Sequence, residues 1–220
     1  MIAPKIKGRR LTALSMYSRL VMGGSASSAD FVFLGGDVSL DLVNTTIVLN
    51  GRFTDLLTTP QRLSEWIAAA GLAPSASARL GTDLHGRVIE LREAIRSACT
   101  ALIDGAAIPG EALDVLNEAL RSVPVPELRQ DDGTLTLEPR VDLDRDPETL
   151  LGILAQHAAE VVSGDRADRL RRCDNHDTCT LLFMDTSRSR SRRWCSMELC
   201  GNRHKVAAHH ARAVSNRIRR

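Results

Sequence analysis

Residues 171–220 read RRCDNHDTCTLLFMDTSRSRSRRWCSMELCGNRHKVAAHHARAVSNRIRR, and the four cysteines in this stretch decide the architecture of that end of the chain. Five residues separate Cys173 from Cys179, fifteen separate Cys179 from Cys195, and four separate Cys195 from Cys200. Two short cysteine loops joined by a longer insert suit a tetrahedral metal site. Each loop supplies two thiolates, and the insert returns the chain to the same ion. Zinc takes four sulfurs at about 2.3 Å, and a site closed by four protein ligands is structural, with no position open for catalysis. Reduced buried thiols, two disulfides or an iron–sulfur cluster also fit four cysteines. We take one structural zinc ion on Cys173, Cys179, Cys195 and Cys200. The large apolar residues nearby, among them Leu181, Leu182, Phe183, Met184, Trp194, Met197, Leu199 and Val206, are too few for an independent core. A metal could supply on the order of 10 kcal/mol in their place. His176 and His204 lie beside the cysteines but are left out of the ligand set, because four thiolates complete the tetrahedron.

The same stretch is basic. Residues 166–220 hold 14 Lys and Arg against 5 Asp and Glu, a charge of +9, while residues 1–165 hold 15 against 22, a charge of −7. The net +2 of the 220-residue chain conceals this split. A metal would concentrate Arg188, Arg190, Arg192, Arg193, Arg203 and Lys205 on one small module. Guanidinium groups hold phosphate bidentately and keep their charge, and phosphate contacts supply most non-specific nucleic-acid affinity. Residues 202–218 have helical spacing, with Val206, His210, Val214 and Ile218 on one side and Arg212 elsewhere, so a basic C-terminal helix is expected to enter a major groove. Some arginines also have structural alternatives: Arg193 or Arg203 could pair with Asp185. Trp194 is expected to pack beneath the metal, and Gly201 to supply a positive φ or a close backbone approach to sulfur.

Upstream, the chain predicts a mainly α domain with a small β-hairpin. Residues 1–29 read as a flexible leader, residues 30–165 as the helical domain, and residues 166–220 as the finger with its basic helix. Phe31–Leu34 suggests a short strand before the turn at Gly35-Gly36-Asp37. Leu40, Val43 and Ile47 predict a helix over Val38–Leu49. Thr59-Pro60 starts another helix, with Thr as N-cap and Pro in the first turn, and Gly71 ends it. A helix over about 82–104 carries the apolar stripe Val88, Leu91, Ile95, Ala98, Cys99 and Leu102, which assigns Cys99 to the core. On it, Glu90, Arg92, Glu93 and Arg96 read as a solvated face. A helix at about 111–121 turns Leu113, Leu116 and Leu120 inward. Asp132-Gly133 between two extended runs predicts a hairpin within 125–143, and Asp146-Pro147 opens a helix that Gly164 ends. Asp41, Asn44 and Thr45 are polar groups among apolar neighbours, which requires hydrogen-bond partners for them.

The string LFMDTSRSRSRRWCSMELCGNRHKVAAHHAR resembles the CGNR zinc finger, whose tetrad is here Cys200-Gly201-Asn202-Arg203. LGGDVSLDLVNTT at 34–46, DLLTTPQRLSEWI at 55–67 and LREAIRSAC at 91–99 resemble the ABATE domain that precedes this finger. The resemblance implies a stress-induced bacterial transcription regulator, zinc on the four cysteines, and DNA binding around Arg188, Arg193, Arg203 and Lys205.

These readings lead to a zinc-dependent DNA-binding regulator whose N-terminal domain senses a small-molecule or protein effector or forms a homodimer. An RNA-binding or protein-interaction finger is the alternative. No Ser-His-Asp elbow, phosphate-binding glycine loop or His-rich site stands in the sequence, so no catalytic residue is assigned and an enzyme is not expected. With no apolar run of roughly 20 residues and clustered cysteines that suit a reducing compartment, a cytoplasmic protein without membrane contact is expected.

Overall fold

The computed structural model describes residues 31–49, 51–72, 80–139, 141–176 and 178–206. The leader expected at 1–29 and the C-terminal helix beyond residue 206, with Arg212, lie outside the described residues.

The elements follow in the order α1 Val38–Val43, β1 Thr46–Leu49, β2 Arg52–Asp55, α2 Pro60–Ala69, α3 Thr82–Ile103, α4 Gly110–Leu120, β3 Pro126–Asp131, β4 Thr134–Pro139 and α5 Thr149–Val162. A 3-10 turn at Gly164–Arg169, strands β5 Leu170–Arg172 and β6 Leu182–Met184, and a π-helical turn at Met197–Gly201 complete the order. The fold is mainly α with three antiparallel strand pairs, β1–β2, β3–β4 and β5–β6. Among the described residues no helix is long and apolar enough to cross a membrane.

The main core forms where α1, α3 and α5 pack together, through Leu40, Val43, Leu91, Ile95, Leu150, Leu154 and Ala158, with Trp66 of α2 and Leu116 of α4 at its sides. Cys99 is fully buried there, and burial pushes its thiol up to about 12. Close approach is made possible by a glycine: a Cβ on Gly152 would stand 2.2 Å from the Ser122 carbonyl carbon, so α5 can meet the end of α4 only through Gly.

Local sequence explains the helix starts. Asp37 caps α1, its carboxylate accepting from Ser39 N–H at 3.1 Å and from Ser39 Oγ at 2.7 Å. Thr59 caps α2 with Pro60 in the first turn. Such caps satisfy donors that a helix leaves unpaired at its start. Gly71 and Gly164 end their helices at φ +71° and +63°, a region that glycine enters without steric cost.

Four expectations are corrected. The helix over Val38–Leu49 stops at Val43. Asn44 ends it, and the β-branched residues Thr46, Ile47 and Val48 enter a strand that pairs Thr46 with Asp55 and Leu49 with Arg52. Phe31–Leu34 forms no strand, yet it alternates like one: Phe31 and Phe33 pack on the main core, Val32 and Leu34 on the finger. Leu113 faces outward, because Ala112, Leu116 and Ala119 form the buried stripe of α4. Arg92 is not solvated. It is 3% exposed and holds Asp55 bidentately at 2.7 and 2.8 Å, while Arg96 donates to the Val43 carbonyl at 2.6 Å. Arg92 therefore ties α3 to the end of β2, and Arg96 ties it to the end of α1. Arg92 keeps the Asp55 carboxyl below the usual carboxylate range.

Candidate metal centre

Strand β5 runs directly into Cys173, whose N–H donates to Leu181 O at 3.0 Å, so the β5–β6 ladder sets the first cysteine loop. Arg193 O accepts from Asp174 N–H at 2.9 Å, which folds the long insert back over that loop. At the second loop, Ser196 O accepts from both Cys200 and Gly201 N–H at 3.0 Å, and Ser196 Oγ caps Leu199 N–H. This winds the chain into the π-helical turn that presents Cys200 beside Cys195.

The result is a set of four buried thiols. Their Sγ atoms all lie within 4.8 Å of one another, with Cys179 to Cys195 at 3.8 Å and Cys195 to Cys200 at 3.6 Å. Four sulfurs about 2.3 Å from a central zinc stand about 3.8 Å apart along each tetrahedral edge. A disulfide would need about 2.05 Å. The donor set fits one zinc ion with no protein ligand missing. Hydrogen bonds from Cys179 and Cys195 hold the Cys173 thiol far below its ordinary range, and donating to Cys173 pushes Cys179 up to about 12 and Cys195 upward as well. Four thiolates at this spacing repel one another until a cation joins them. His204 is turned instead to Trp194, ring against ring at 5.0 Å in an edge-on arrangement.

The core beneath this centre is shared. Phe183 and Leu181 of the finger pack with Ile47 of β1, and Val32, Leu34, Leu56 and Trp194 close its sides. Conversely Leu170, Leu182 and Met184 belong to the main helical core. Hydrogen bonds cross the same boundary. Asn44 Nδ2 donates to Leu182 O at 2.9 Å, and its Oδ1 accepts from Leu182 N–H at 2.9 Å. Met184 N–H donates to Gly35 O at 2.8 Å, and Thr180 Oγ1 to Thr46 O at 3.2 Å. Asp41 Oδ1 takes the Gly35 N–H at 2.8 Å, and Thr45 Oγ1 donates to Leu42 O at 2.6 Å. Of the three polar residues singled out in the sequence, Asp41 and Thr45 thus find backbone partners nearby, and Asn44 finds its partner in the finger.

Gly201 is needed for a different reason from the expected one. Its backbone is helical, and a Cβ there would stand 2.7 Å from Trp194 Cδ1 and 2.8 Å from Met197 Sδ. The residue leaves room for the tryptophan, which packs against the finger core as expected.

The basic residues divide into two sets. Arg192 donates to Trp194 O at 2.8 Å and to Cys195 O, and lies 4.6 Å over the Phe183 ring. Arg193 pairs with Asp174 at 2.5 Å and stacks on Trp194 at 4.4 Å. Arg203 reaches Thr178 Oγ1 at 3.2 Å. The expected pairing of Arg193 or Arg203 with Asp185 is corrected. Asp185 is fully buried and accepts from Ser187 N–H at 2.8 Å and Arg192 N–H at 2.9 Å. Burial opposes its charge, but those donors keep its carboxyl below the ordinary range. It therefore closes the loop 185–192 at its base. Arg188 and Arg190 stand exposed on that loop, Arg190 at φ +50°, and Lys205 is exposed on the helical turn 202–206. Their side chains contact no other described residue through a hydrogen bond or ion pair. Among the described basic residues singled out in the sequence, these three are exposed without such a partner.

Asp174 and Thr178, the partners of Arg193 and Arg203, carried no signal in the sequence. Ile47 was legible as apolar, but not as part of this core.

Residues 36–165 match the family model ABATE, described as "Putative stress-induced transcription regulator". Residues 169–213 match the model of the CGNR zinc finger. No curated protein matches the chain.

Proposed function

From the premise that this chain belongs to the ABATE family and carries a CGNR zinc finger, we propose that it is a cytoplasmic, non-enzymatic regulator of transcription that binds duplex DNA through the finger when zinc is loaded. The observation that carries the reading is the loop 185–192. A buried carboxylate closes it, the cysteine cluster anchors its far end, and Arg188 and Arg190 project from it without internal partners. Cys173, Cys179, Cys195 and Cys200 would hold the ion, whose role is to neutralise the thiolates and fix the loop.

A guanidinium on a fixed loop loses little conformational freedom when it meets phosphate, so these two arginines and Lys205 are the preferred contacts. Arg192, half-buried, supports the finger's backbone, while Arg193 and Arg203 brace its loops from the surface. The N-terminal domain shares a core with the finger, which suits a sensing role: an effector that shifts α1 or β1 would press directly on the metal centre.

The test is binding of zinc-loaded protein to duplex DNA across a salt series. Each phosphate contact contributes about 0.9 to the slope of log affinity against log salt. Changing Arg188, Arg190 and Lys205 to Ala together should lower that slope by about 2.7, with zinc content unchanged. No binding to duplex DNA of any sequence at low salt sinks the proposal. Preference for RNA over duplex DNA in direct competition redirects it to the RNA-binding alternative.

A further inference from the structure

The β5–β6 ladder ends at the pair Leu170 and Met184, and the next residues outward, Arg169 and Asp185, hold each other twice. Asp185 N–H donates to Arg169 O at 2.7 Å, and Arg169 Nη1 donates to Asp185 O at 3.0 Å. The same Nη1 reaches Ser187 O at 3.5 Å, a carbonyl that also takes Arg190 N–H at 3.4 Å. Arg169 closes the 3-10 turn Gly164–Arg169, which follows directly on α5. That turn is fixed to the helical domain. Arg166 Nη2 donates to the fully buried Asp37 carboxylate at the cap of α1, at 3.0 Å, and Arg166 Nη1 lies 3.6 Å from Glu160 of α5. The loop on the other side has no apolar anchor, since Asp185-Thr-Ser-Arg-Ser-Arg-Ser-Arg192 contains no apolar side chain. Its form depends on hydrogen bonds. Among the described residues, every hydrogen bond from Asp185 through Ser191 to a partner outside the loop is made with Arg169.

We propose that Arg169 is a positioning residue for this loop: from the helical domain it holds 185–192 in the form that offers Arg188 and Arg190 to duplex DNA, without touching the DNA itself. The proposal rests on the reading of that loop as the DNA contact. Asp185 cannot do this alone. Its carboxylate bonds the N–H groups of Ser187 and Arg192, both within the loop, so it sets the loop's shape but not its place on the protein. The cysteine cluster anchors the far end, and Arg169 anchors the near one. Arg169 is half-buried, and a bond from a guanidinium to a carbonyl is charge-assisted and partly shielded from water there. The turn at Arg190 needs such a hold, because its φ of +50° lies in the left-handed region that a non-glycine residue seldom enters. Affinity scales with the fraction of molecules whose loop is in the competent form. Loosening the loop therefore weakens binding without changing how many phosphates are met.

The experiment is binding of the full zinc-loaded chain to duplex DNA over a salt series. The variants are Arg169→Ala, Arg169→Lys, and Arg169→Ala in a chain already carrying Arg188→Ala and Arg190→Ala. Losing the guanidinium's bonds should lower affinity at least about 10-fold. The slope of log affinity against log salt should stay that of the wild type, because the slope counts phosphate contacts. Arg169→Lys keeps a cationic donor and should recover most of the affinity. In the chain lacking Arg188 and Arg190, Arg169→Ala should cost no further affinity at low salt, since it acts through those two. Without DNA, trypsin should cut after Arg188 and Arg190 several-fold faster in Arg169→Ala, with zinc content unchanged. A slope lowered by about 0.9 makes Arg169 a phosphate contact and overturns the proposal. So does an unchanged rate of cleavage, a loss of zinc from Arg169→Ala, or a cost that adds in full to that of the two loop arginines. A wild type that binds no duplex DNA defeats the function on which the proposal rests. DNA binding by the wild type that Arg169→Ala leaves unaltered defeats the proposal alone.

Discussion

Asn44→Ala is the substitution that best tests whether the helical domain and the finger form one cooperative unit. Asn44 is 1% exposed, and its carboxamide satisfies both the N–H and the C=O of Leu182, each at 2.9 Å. Those two groups lie on the side of β6 turned from β5, so the side chain stands where a third strand would otherwise be. Removing it deletes two neutral hydrogen bonds and orphans a buried donor and a buried acceptor. The net worth of one such bond is about 1 kcal/mol, and an unsatisfied buried group costs about 1–3 kcal/mol, so the loss should be about 2–4 kcal/mol. That is a large share of the 5–15 kcal/mol typical of a whole domain. The assay is urea unfolding of the zinc-loaded protein, followed both by a helix signal and by zinc release to a chromophoric chelator. Because folding and metal binding are linked, Asn44→Ala should lower the midpoint of both signals together and weaken zinc affinity. Asn44→Asp adds a chemical check. Its carboxylate still accepts from Leu182 N–H but opposes the Leu182 carbonyl, and protonation restores a donor. Its deficit should therefore shrink as pH falls. A loss under about 0.5 kcal/mol, or a loss in the helix signal with zinc affinity unchanged, would refute the single-unit reasoning.

Gly201→Ala should cost about 1–3 kcal/mol and loosen zinc, since the new methyl would meet Trp194 and Met197 inside van der Waals contact; calorimetry of zinc binding measures it. Arg92 depresses the folded-state carboxyl of Asp55 below its ordinary 3.8, so its stabilising effect is present above that value and is lost as pH falls through the lower folded pKa. Asp55→Asn should therefore lower the melting temperature at neutral pH and flatten its decline in acid below pH 3.8, measured by a pH series of thermal melts. Cys99 is buried with its thiol raised to about 12; in a timed thiol-labelling experiment it should react last, after chelation has freed the four finger cysteines. Labelling of Cys99 before those four would contradict its place in the core.

The elements legible in the sequence were those governed by local rules. Thr59-Pro60, the Val88-to-Leu102 stripe and Asp132-Gly133 each carry their own geometry, and the four cysteines carry their chemistry in their spacing. What was missed depended on partners far away in the chain. Val38–Leu49 has helical periodicity, but Asn44 is drawn to Leu182, 138 residues on. The Asn50-Gly51 pair, a strong hairpin signal beside β-branched residues, could have corrected that reading. Arg92 and Glu93 have the spacing of a solvated helix face, and only the β1–β2 hairpin, placed over α3, turns Arg92 into a buried tie. The apolar alternation of β3 and β4 was read correctly as a hairpin, but alternation alone cannot say whether the apolar face is covered.

The arginine-rich insert shows why composition overstates a binding surface. Seven basic residues stand out in the sequence as contacts for phosphate, yet charge alone does not make a side chain available. Arg192 gives its donors to the carbonyls of Trp194 and Cys195, so its loss would disturb the backbone on which a thiol is carried. Arg193 and Arg203 pin the insert and the second cysteine loop to Asp174 and Thr178. A finger with little apolar bulk needs such ties, because four sulfurs fix four points and leave the loops between them to be held by hydrogen bonds. The positive charge that remains for an external partner is what those ties do not consume, and Asp185 concentrates it by closing a short loop under Arg188 and Arg190. Metal, buried carboxylate and bracing arginines thus have separate parts: the first gathers the chain, the second shapes the loop, and the last hold the loops while Arg188 and Arg190 keep their guanidiniums unpaired by any described residue.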